Sequence, residues 1–74
     1  MESVYIALGS NLQQPKSQLN RAVGFLKRLP RSNFLKVSPY YRTAPVGPAG
    51  QQSYLNAVAK IKTRLAPLEL LYRL

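Results

Sequence analysis

The sequence predicts an α+β fold, an antiparallel-rich sheet with its helices on one face. Three segments are rich in β-branched and aromatic residues or alternate apolar with polar ones. Two others begin at a proline and carry leucines to bury. They follow one another in the order β-α-β-β-α, the beginning of a split β-α-β-β-α-β arrangement that one further strand would complete.

The first strand is Val4-Tyr5-Ile6-Ala7-Leu8, nearly all apolar and therefore expected to be buried, stopped by Gly9-Ser10-Asn11. Pro15 suits a first helical position. From there Leu19, Ala22, Val23, Leu26 and Leu29 make one apolar helical face, Lys16, Arg21, Lys27 and Arg28 occupy the rest, and Pro30 ends the helix. Phe34 to Arg42 alternates weakly around Pro39, which cannot donate to a ladder, so this strand is expected at an edge or with a bulge. Tyr54 to Thr63 alternates well: Leu55, Ala57, Ala59 and Ile61 share one face, and Tyr54, Asn56, Val58, Lys60 and Lys62 the other. Pro67 opens a second helix with Glu69 in its first turn and Leu68, Leu70 and Leu71 to bury. An isolated helix so short is marginal. The expectation is that residues 1–74 are the amino-terminal portion of one larger domain whose carboxy-terminal half is absent.

Composition narrows the chemistry. A chain of 74 residues is one domain at most, with a core of marginal stability. There is no Cys, His or Asp, and the only acids are Glu2 and Glu69. That leaves almost nothing to hold a metal, and it removes most general acid–base and nucleophile–His schemes. The formal charge of +9 suggests an anionic partner, although a basic surface on an ordinary soluble protein is the plainer alternative. No signal segment is evident, and no apolar run approaches the ~18 residues of a membrane span, so no membrane association is expected and the default location is cytoplasmic.

The connection from Thr43 to Ser53 is longer than the two to five residues usual between paired strands. Pro45 and Pro48 stiffen it, while Gly47 and Gly50 permit close approach of backbone to a ligand. Tyr54 and Asn56 then emerge on one strand face, a stacking surface beside an amide with donor and acceptor edges. The stretch could wall a pocket for a planar polar ring; an ordinary loop before an ordinary exposed strand face is the alternative. Gly9-Ser10-Asn11 fits neither glycine-rich phosphate-binding pattern, so its expected role is to shape the turn and support the pocket.

Four motifs in register resemble one family. They are Tyr5-Ile6-Ala7-Leu8-Gly9-Ser10-Asn11-Leu12, Tyr41-Arg42-Thr43-Ala44-Pro45-Val46-Gly47-Pro48, Tyr54-Leu55-Asn56-Ala57-Val58, and Leu65-Ala66-Pro67 followed by Glu69-Leu70-Leu71. Together they look like the amino-terminal half of 6-hydroxymethyl-7,8-dihydropterin pyrophosphokinase, a folate-biosynthesis enzyme. The resemblance implies a ferredoxin-like fold and transfer of pyrophosphate from ATP to the pterin hydroxymethyl group with two Mg²⁺ ions. It implies that Thr43, Ala44, Val46, Tyr54 and Asn56 bind the pterin, with Asn56 on the ring edge and Thr43 and Val46 meeting it through backbone groups. Leu71 matches a position near the adenine. Ala44 stands where some members have a second proline, and Val46 where others have leucine. The family's magnesium-binding aspartates and mobile catalytic loop fall beyond residue 74, so residues 1–74 alone are expected to be inactive, with no catalytic residue and no metal ligand of their own.

Two rivals stand beside this reading. The strand order is also that of an RNA-recognition sheet, but its aromatic signature is absent and the basic residues are scattered, so no nucleic-acid partner is expected. The other is an incomplete sheet, whose exposed first strand would invite dimerisation or strand exchange.

Overall fold

The computed structural model describes residues 1–11, 14–44 and 53–74. The elements are β1 (Glu2–Ser10), α1 (Pro15–Lys27), β2 (Ser32–Val37), β3 (Tyr41–Thr43), β4 (Tyr54–Thr63) and α2 (Pro67–Arg73). All strand pairings are antiparallel, and β4 is central: β1 runs along one side of it, β2 and β3 along the other.

β4 alternates as the sequence predicts. Leu55, Ala57, Ala59, Ile61 and Thr63 are buried, and the residues between them are not. From α1, Leu19, Val23 and Leu26 meet this face, joined by Leu29 just beyond the helix. Leu70 of α2 enters the same cluster as Leu26, Leu29, Ala59 and Ile61, so both helices lie on one side of the sheet. The other side is open among the described residues.

Three expectations need correction. β1 is not buried on both faces: Val4, Ile6 and Leu8 pack against the core, while Tyr5 and Ala7 face outward. It also continues through Gly9 and Ser10, because β4 pairs with it as far as Ser10 opposite Leu55. In α2 only Leu70 is buried; Leu68 and Leu71 stay 79% and 70% exposed.

The second predicted strand is at an edge and is interrupted. Its bulge falls at Leu35, between the pairs Phe34–Ile61 and Lys36–Lys60, rather than at Pro39. Ser38 carries the ladder across the proline. Its N–H donates to the Val58 carbonyl at 2.8 Å, and its Oγ accepts the Val58 N–H at 2.9 Å. Ser38→Ala leaves that part-buried N–H without its acceptor and is expected to cost about 1–3 kcal/mol, read as a lower urea midpoint at unchanged slope.

Candidate functional site

β3 and the start of β4 form the base of the long connection. Their register sets Thr43 opposite Tyr54 and Tyr41 opposite Asn56, and β1 brings Gly9 against Asn56 from the other side. By the two-residue period of strands, Gly9, Tyr41, Thr43, Tyr54 and Asn56 all lie on the open face.

Asn56 is the centre of this group. Its Nδ2 donates to Thr43 Oγ1 at 2.8 Å, with longer contacts to the carbonyl oxygens of Tyr54 at 3.4 Å and Tyr41 at 3.5 Å. Two backbone carbonyls can be faced only by the NH₂ end of the amide, which fixes its orientation. The sequence alone offers both edges of this amide to a ring. In the structure the donor end is committed to the protein, so the carbonyl Oδ1 is the atom suited to a ligand N–H. Gly9 leaves room for that oxygen: a Cβ built there would stand 3.1 Å from it. Tyr54 and Tyr41 flank the amide with exposed rings suited to stacking.

The structure thus places Thr43, Tyr54 and Asn56 together, with Ala44 next in chain. Val46 lies outside the described residues. Leu71 is elsewhere, in a groove it lines with Val4, Ile6 and Leu74. Gly9 is the residue whose part in the site the sequence reading undervalued; its signal was a glycine within a strand, which often marks a close approach. A second support is Arg42, whose Nη1 donates to Ser53 Oγ at 3.4 Å across the mouth of the connection.

No group of three His, Cys, Asp or Glu side chains comes together among the described residues. Of the two acids, Glu69 accepts from Arg31 Nη2 at 2.6 Å, and Glu2 is opposite Thr63 at the far end of β1. These residues do not fit a magnesium site.

Comparison with known proteins adds a second line. The family model described as 7,8-dihydro-6-hydroxymethylpterin-pyrophosphokinase matches residues 5–74. Relatives named 2-amino-4-hydroxy-6-hydroxymethyldihydropteridine pyrophosphokinase occur in Pseudomonas aeruginosa and Haemophilus influenzae, each 46% identical over 71 residues. That alignment covers 96% of this chain and 44% of each relative. A protein of the same name in Bacillus subtilis is 45% identical over 67 residues, covering 90% of this chain and 40% of the relative. The chain therefore spans less than half the length of these relatives.

Proposed function

The chain belongs to the 7,8-dihydro-6-hydroxymethylpterin-pyrophosphokinase family, and on that premise we propose that it supplies one wall of the pterin pocket of such an enzyme. The whole enzyme would move pyrophosphate from ATP to the hydroxymethyl oxygen of 6-hydroxymethyl-7,8-dihydropterin, releasing AMP. Thr43 and Asn56 orient the ring, Tyr54 lies against it, and Ala44 and Val46 offer backbone groups. The observation that carries this is the Asn56 amide tied by its NH₂ to Thr43, at the base of the loop and among exposed tyrosines.

Residues 1–74 are read as the amino-terminal portion of one ferredoxin-like domain. The support is a central β4 with antiparallel neighbours on both sides and two helices on one face, which leaves the outer edge of β1 for a further strand. Leu71 as an adenine contact, and ATP itself, rest on the family alone. Phosphoryl transfer needs metal to neutralise the phosphates, and the two acids present do not supply a site. The 74-residue chain is therefore expected to bind pterin and to transfer nothing.

The test is a titration of the ¹⁵N-labelled chain with 6-hydroxymethylpterin, followed by an assay for AMP with ATP and Mg²⁺ added. Shifts confined to the Asn56 side-chain amide and the backbone of Thr43, Ala44, Val46 and Tyr54, with no AMP, are the expected result. Shifts elsewhere, or none, refute the pocket. AMP formed by a chain of verified 74-residue mass refutes the assignment of catalysis to residues beyond it.

Gly9→Ala is a second check. The new methyl group would stand 3.1 Å from Asn56 Oδ1, so the amide must give by a few tenths of an ångström, which lengthens its bond to Thr43. Pterin affinity is expected to fall about tenfold, on the order of 1.4 kcal/mol, with a visible shift of the Asn56 side-chain resonance in the free protein. Unchanged affinity would mean that the amide is not held where the ring needs it.

A further inference from the structure

The helix side of the molecule has a cleft of its own. Arg28 closes α1, and Arg73 lies in the last turn of α2. Both line one open cleft of about 610 Å³, together with Phe25, Leu29, Glu69 and Tyr72. A cation suits the negative pole at the end of its own helix, which is the plain account of either arginine taken alone. It does not account for their convergence on one cleft. The sequence holds two carboxylate side chains. Glu69, the one in this cleft, is engaged by Arg31 at 2.6 Å, the single ion pair among the described residues. Arg28 and Arg73 therefore have no side-chain carboxylate to answer them, and the cleft presents two uncompensated positive charges.

Two aromatic rings accompany these charges. Phe25 is 43% exposed and Tyr72 93%, although each has a large apolar area to bury. We propose that this cleft binds a small aromatic phosphate of mononucleotide size, with its phosphate on the two guanidinium groups and its ring against Tyr72 and Phe25. The guanidinium fork matches phosphate geometry and holds it by charge-assisted hydrogen bonds. A phosphate monoester carries about −1.5 to −2 charge near neutral pH, which answers the two arginines. An aromatic side chain offers a stacking face to any base. The volume falls within the roughly 300–1,000 Å³ of small-ligand clefts.

This cleft is separate from both positions considered above. Asn56 and its neighbours lie on the open face of the sheet, whereas α1 and α2 lie on the other. Leu71 lines a different groove, with Val4 and Ile6. The proposal therefore does not depend on the pterin reading, and either can fail without the other.

The test titrates the ¹⁵N-labelled 74-residue protein with UMP, without added metal, and with ribose 5-phosphate as the comparison that lacks a base. The UMP ring is neither a purine nor a pterin, which separates this cleft from the other two positions. UMP is expected to shift the amides of Phe25, Arg28, Leu29, Tyr72 and Arg73 and to bind more weakly as salt is raised. Ribose 5-phosphate is expected to shift the two arginines at an affinity at least about fivefold lower. An Arg28→Gln, Arg73→Gln double variant is expected to weaken UMP at least about tenfold. An Arg21→Gln, Lys62→Gln variant removes the same charge outside the cleft and should bind UMP as the wild type does. All four positions are exposed, and the dispersion of each free variant's spectrum verifies its fold. Absence of UMP binding, or shifts confined to the open face or to Leu71, Val4 and Ile6, overturns the proposal. So do equal losses in the two variants or equal affinities for the two probes.

Discussion

Ile61→Ala is expected to abolish cooperative folding. Ile61 is fully buried at the middle of the sheet, with Val4 opposite it on β1 and Phe34 opposite it on β2. Its side chain sits in the cluster formed by Leu26 and Leu29 from the helix side, Leu65, and Leu70 of α2. Truncation there removes buried methyl groups and leaves a cavity, at a cost of about 2–5 kcal/mol. A single core in a chain of this length rarely supplies more than about 3–5 kcal/mol in total. The two figures are equal within their spread, so the variant should show a broad, non-cooperative urea transition and a collapsed amide spectrum. Val58→Ala is the comparison. Val58 is the same kind of residue on the same strand but points to the open face, and its truncation should cost under about 1 kcal/mol. Equal losses at the two positions would mean that the open face is covered in the folded protein and that the core is not where the helices place it.

The contrast between these two positions was legible in the sequence, because β4 has one covered face and a strand so placed must alternate. β1 was harder. Its outward positions are Tyr5 and Ala7, which are apolar by composition, so a half-covered strand reads as a wholly buried one. The exposed Leu68 and Leu71 mislead in the same way: leucine in a sequence says that burial is favourable and not that a partner surface is present. Pro39 announced a break, and its site was right, but the shift of register at Leu35 depends on how β2 lies against β4 and has no residue signature. For the candidate site, the period of two was enough to put Tyr54 and Asn56 together. That Thr43 reaches the Asn56 amide follows from the β3–β4 register across the long connection, and that Gly9 abuts it follows from a pairing with the first strand. Neither is a local property, so neither could be read from local pattern. The family resemblance supplied Thr43 and Asn56 as a set; in the structure a 2.8 Å hydrogen bond joins the two side chains.

Replacing Asn56 tests that set most directly. Asn56→Leu keeps a side chain of similar reach and removes both ends of the amide. It is expected to abolish detectable pterin binding, a loss on the order of a hundredfold or more, because a site built to hydrogen-bond a ring edge is left with unpaired groups on both sides. Asn56→Asp separates the two ends. The carboxylate keeps an acceptor where Oδ1 stands, but it presents oxygen to the carbonyls of Tyr41 and Tyr54, 3.5 and 3.4 Å from the present nitrogen. Thr43 Oγ1 could turn its hydroxyl hydrogen toward the new oxygen and keep one bond; the two backbone carbonyls have no such freedom. Binding should therefore weaken in Asn56→Asp through loss of orientation, while a ligand N–H still finds an acceptor, so its affinity should lie between wild type and Asn56→Leu. Thr43→Val removes the tether alone and should resemble Asn56→Asp more than Asn56→Leu. Calorimetric titration with 6-hydroxymethylpterin ranks the four proteins. An order in which Thr43→Val binds like wild type would show that the amide is oriented by the ring itself, and the preorganised site described here would be wrong.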